Sequence, residues 1–106
     1  MKILLPLNND KLLVLNNAMH LLDRLMMADF STEQKMILSI CTELRTELLQ
    51  KAIKNRDKTK SYIVKLNYYK AAAIFHYINN YPHGFEGGSY EINALMQIKN
   101  EIHRQL

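Results

Sequence analysis

Between Pro6 and Pro82 the chain contains neither a proline nor a glycine. An all-β fold needs many tight turns, and those turns draw on residues that reach φ > 0 at little cost. Long helices with few connections are therefore expected. All three glycines, Gly84, Gly87 and Gly88, fall within 81–88, which reads as a loop. A length of 106 residues bounds the answer to one domain, 1–106. Its balance of 48% apolar and 23% charged residues is that of a folded chain rather than a disordered tail.

Helical periodicity then divides the chain. Leu12, Leu15, Met19, Leu22 and Met26 recur at steps of three and four, so a first helix is expected over about 9–28, capped by Asn8 or Asp10. Ser31 followed by Gln34 makes a capping box. Ile37, Ile40, Cys41, Leu44, Leu48 and Ala52 continue that helix along one face, to about 32–55. Tyr62 to Leu66 is rich in aromatic and β-branched residues, which favours a short extended segment at 61–66 before a third helix at 68–80. One helix over all of 60–80 is the alternative. Ser89 caps a last helix with Ile92, Leu95, Met96, Ile98, Ile102 and Leu106 as its apolar positions.

The two halves resemble each other. An offset of 59 lays Leu7, Asn8, Lys11 and Leu15 over Leu66, Asn67, Lys70 and Ile74. An offset of 58 lays Ser31, Glu33, Glu43 and Leu44 over Ser89, Glu91, Glu101 and Ile102. Each half, about 1–57 and 58–106, thus reads as an extended segment, a capping Asn, a helix, a loop and a Ser-capped helix. The expected fold is mainly α. Two pseudo-repeated helical hairpins form a four-helix arrangement, with a two-stranded β ribbon made by 2–7 and 61–66. Pro6 has no N–H and belongs on the outer side of such a ribbon.

Chemistry is sparse along the chain. The single cysteine, Cys41, lies within an apolar helical pattern and reads as a small buried hydrophobe. His20 and Asp23 supply half a metal site at most. His83, Glu86 and His76 could share a corner, and Gly84, Gly87 and Gly88 lack the Lys-Ser/Thr ending of a phosphate loop. No catalytic, cofactor-binding or metal-binding set is expected. The opening apolar run is shorter than the core of about 7–15 residues in a secretory signal, and nothing approaches the ~18 needed to span a bilayer. A cytoplasmic chain with no membrane partner is the expectation.

Charge is concentrated in one stretch. Residues 51–70 hold seven basic side chains against Asp57 alone, a local +6 in a chain of net +4. Lys51, Lys54, Arg56, Lys58, Lys60 and Lys65 are the candidate nucleic-acid contacts, with Tyr62, Tyr68 and Tyr69 nearby for stacking. A solvated lysine-rich connection explains the same residues and is favoured, since no DNA-binding motif accompanies them. Leu12, Leu13, Val14 and Leu15 nearly encircle the first helix, which leaves apolar surface over. The leading expectation is a non-catalytic protein–protein interaction module, a homodimer or the binder of another protein. Nucleic-acid binding is the alternative.

Overall fold

The computed structural model describes residues 2–19, 31–57, 60–80 and 89–106. Chain order is β1 (Lys2–Leu7), α1 (Asn9–Ala18), α2 (Thr32–Lys54), β2 (Tyr62–Asn67), α3 (Tyr68–Asn80) and α4 (Ser89–Gln105). The strands form a two-stranded antiparallel sheet in which Lys2 faces Asn67, Leu5 faces Val64 and Leu7 faces Tyr62. Mainly helical with a small sheet is thus the architecture.

Each strand alternates as the pleat requires. Ile3, Leu5 and Leu7 point inward with Val64 and Leu66, whereas Lys2, Leu4, Pro6, Ile63 and Lys65 point outward. The inward set joins one core to which all six elements contribute. Each fully buried Leu or Ile there stabilises the fold by roughly 1.5–3 kcal/mol relative to exposure.

Local chemistry sets the helix starts. Asn8, in extended backbone, accepts from Lys11 N at 2.9 Å and opens α1, with Asp10 in its first turn. Ser31 Oγ accepts from Gln34 N at 3.2 Å while Gln34 Oε1 accepts from Ser31 N at 3.0 Å, so the capping box opens α2. Leu38, Cys41, Leu44, Leu48 and Ala52 form the buried stripe of α2. Ala71 and Ala73 on α3 are both buried, and small side chains let the two backbones approach: Cys41 Sγ reaches Ala73 O at 3.5 Å. Tyr77, wholly buried, donates from its hydroxyl to Ala18 O at 2.6 Å and ties α3 to the end of α1.

Two expectations change. The second strand is Tyr62–Asn67 rather than 61–66: Asn67 is its last residue, opposite Lys2, whose Nζ donates to Asn67 Oδ1 at 2.7 Å, and it leads straight into α3. The single helix over 60–80 gives way to strand then helix, because Val64 and Leu66 find buried places on the inner face of the ribbon. The first helix is helical to Ala18, with Met19 in a closing 3₁₀ turn. Its expected continuation to residue 28 lies outside the described residues, as do the loop 81–88 and the Ser89 side chain.

Candidate functional site

The basic stretch is assembled where α2 ends and β2 begins. Lys51 and Lys54 sit in the last turn of α2, Arg56 in the turn after it, Lys60 just before β2 and Lys65 on the outer face of β2; all five are exposed. Lys58 lies outside the described residues. A bracket centred on Asn9 holds this corner together. Its Nδ2 donates to Asn55 O at 2.7 Å and Ala52 O at 3.4 Å, while its Oδ1 accepts from the Tyr62 hydroxyl at 2.5 Å. The open carbonyls at the α2 C-terminus are thereby satisfied by a side chain 43 and 46 residues earlier, and the start of β2 is fixed beside them. Burial pushes the Tyr62 hydroxyl pKa up.

The outer edge of β1 is closed in an unusual way. Gln105, near the end of α4, accepts from Leu4 N at 3.0 Å and donates to Leu4 O at 2.7 Å, pairing with the strand as another peptide group would. Both Leu4 groups must therefore point away from β2, which makes Leu4 and Lys65 a non-hydrogen-bonded pair. Pro6 shares that parity, so its missing N–H removes no ladder bond.

Beside this stitch, Leu5, Pro6, Leu7, Lys11, Gln97, Ile98 and Glu101 line a cleft of about 190 Å³. Glu101 is held by Arg104, whose hydrogen bond lowers its carboxyl pKa, and by Gln105. Across the molecule Lys70 Nζ pairs with Glu47 Oε1 at 2.8 Å, and that hydrogen bond raises the Lys70 pKa. The Glu47 side chain is nearly half exposed, so the pair contributes at most ~1 kcal/mol.

Of the other candidate groups, Cys41 and His76 fall among the described residues. Cys41 is fully buried, and desolvation pushes its thiol up to about 12, the reverse of what a nucleophile requires. His76 is exposed on α3 with its ring edge-on to Phe75, while His20, Asp23, His83 and Glu86 lie outside the described residues. Among the described residues no group of three metal-ligating side chains forms and no helix is long and apolar enough to cross a membrane.

Apolar surface, by contrast, is plentiful. Leu13 on α1 is 44% exposed, and Leu49 and Ile53 on α2 are 45% and 56% exposed. Leu13 stands one turn beyond Asn9 on the same side of α1, and Leu49 and Ile53 flank Ala52, whose carbonyl Asn9 reaches. Leu49 and Ile53 lie one turn apart on the same face of α2. Sequence periodicity could find Leu13 as surplus. The Asn9 bracket and the Gln105 stitch escaped it, because neither partner lies near in sequence. No family model, curated protein or solved structure matches the chain.

Proposed function

We propose that this chain is a cytoplasmic, non-catalytic helical interaction module whose partner is a second copy of itself. The observation that carries this reading is the exposure of Leu13 on α1 and of Leu49 and Ile53 on α2, three large aliphatic side chains each left about half in water. A twofold contact between two such patches would remove them from solvent together, at roughly 25 cal/mol per Å² of apolar area. Burial that pushes the Cys41 thiol up to about 12 argues against that residue as a nucleophile. Sedimentation velocity on the wild-type chain and on the Leu49→Glu/Ile53→Glu variant tests the proposal. The wild type is expected to sediment as a dimer and the folded variant as a monomer; equal sedimentation of both would refute it.

The module is read as two copies of one β-α-α unit, and the ribbon register supports this. Under the 59-residue offset Leu5 corresponds to Val64, and these two residues are direct cross-strand partners. Ala18 and Tyr77, also 59 apart, touch through the tyrosine hydroxyl. A pseudo-twofold axis through the Leu5–Val64 pair would account for both contacts.

A second reading, nucleic-acid binding, is favoured by one observation: Lys51, Lys54, Arg56, Lys60 and Lys65 are all exposed around one corner. It requires affinity that falls steeply with salt and is lost in Lys54→Glu/Arg56→Glu/Lys60→Glu. A low-salt oligonucleotide pull-down that recovers nothing would end it.

A further inference from the structure

The two edges of the ribbon are treated differently. β1 is closed by Gln105, which satisfies both outward groups of Leu4. On β2 the same parity turns the N–H and C=O of Ile63 and Lys65 outward, and among the described residues no hydrogen bond from another element reaches them. The residue that the 58-residue offset sets in the place of Gln105 is Glu47. A carboxylate cannot donate to a carbonyl, and this one is already bonded to Lys70. An open strand edge is a template for another extended chain.

We infer that the β2 edge is a strand-addition site for an extended acidic segment of a partner protein. The occupant follows from charge and backbone chemistry together. Lys65 lies at the middle of the edge, Lys60 precedes it, and the Asn9 bracket holds the α2 end with Lys51, Lys54 and Arg56 beside the start of the strand. Two copies of a +6 segment would repel each other across a β2–β2 seam. A nucleic acid would answer the lysines but offers no ladder of alternating donors and acceptors. An acidic peptide supplies both. Ile63, 53% exposed, and Lys65 point to the same outer face, so the added strand places an apolar residue beside Ile63 and an acidic one, two positions away, beside Lys65.

This site extends the interaction-module reading but rests on the backbone edge of β2 rather than on the Leu13, Leu49 and Ile53 side chains, so each can fail alone. The probe is a blocked, threonine-rich octapeptide carrying valine and glutamate two residues apart. Its effect is followed by amide NMR shifts and hydrogen exchange on the full chain. The peptide is expected to shift and protect the Ile63 and Lys65 amides, to bind about tenfold more weakly to Lys65→Glu, and to bind equally well to the charge-neutral Leu13→Gln/Leu49→Gln variant. Ile63→Pro removes the edge donor at a position whose cross-strand partner is already Pro6, and is expected to abolish binding. If that variant does not fold, Lys65→Glu decides. The inference is overturned if millimolar peptide leaves both amides unprotected or if a lysine-for-glutamate peptide binds as well. It is equally overturned if oligothymidylate, or a rise in protein concentration alone, protects the same amides.

Discussion

Single side chains in this protein carry more than their local pattern suggests, and Asn16 is the clearest case. It is 8% exposed within the apolar face of α1, and among the described residues its Oδ1 has no hydrogen-bond partner. A buried acceptor left unmade costs about 1–3 kcal/mol, so Asn16→Leu is expected to stabilise the chain by about 1 kcal/mol in urea unfolding. Destabilisation would mean that the amide is partnered in solution. Cys41 makes a second residue-scale prediction. Its thiol titrates near 12 when folded against 9.0 as the ordinary value, so the folded state keeps its proton longer than the unfolded state. Stability is intact below pH 9 and is lost as pH rises toward 12, by about 1.4 kcal/mol per pH unit. Tyr62, also shifted upward, adds to the loss only above its ordinary 10.0. Between pH 9 and 10 the slope should vanish in Cys41→Ala, as urea melts at stepped pH would read.

At the scale of elements, the chain declares its starts more clearly than its ends or its pairings. The helix start at Thr32 was legible because Ser31 and Gln34 form a box that depends on residues three apart. The segment at Tyr62 was legible from its β-branched and aromatic content, but its length was not, since the last pair depends on Lys2 reaching Asn67 across 65 residues. The Gln105 stitch spans 101 residues and has no sequence signature. Removing it should be visible locally: Gln105→Ala is expected to speed Leu4 amide exchange at least tenfold with little change in the core amides. Unchanged Leu4 exchange would show that the bond is not kept in solution. The candidate site was half legible for the same reason. Charge counting finds the lysines, but only tertiary bonds through Asn9 show that they border an open strand edge.

At the scale of the whole molecule, the six described elements close one core. Leu44 is fully buried in that core, so Leu44→Asp would bury an unpaired charge and is expected to abolish cooperative folding, read by circular dichroism. A normally folded variant would mean that the buried face of α2 is misassigned. Outside the core, the exposed aliphatic side chains of α1 and α2 and the β2 edge amid its lysines have no match among the described residues. The proposed module covers the first with a copy of itself and the second with an acidic strand. Light scattering of the wild-type chain at high concentration tests that claim most directly. A solution mass of twice 12.4 kDa is the expected result, and a strict monomer of 12.4 kDa at the highest attainable concentration would contradict it.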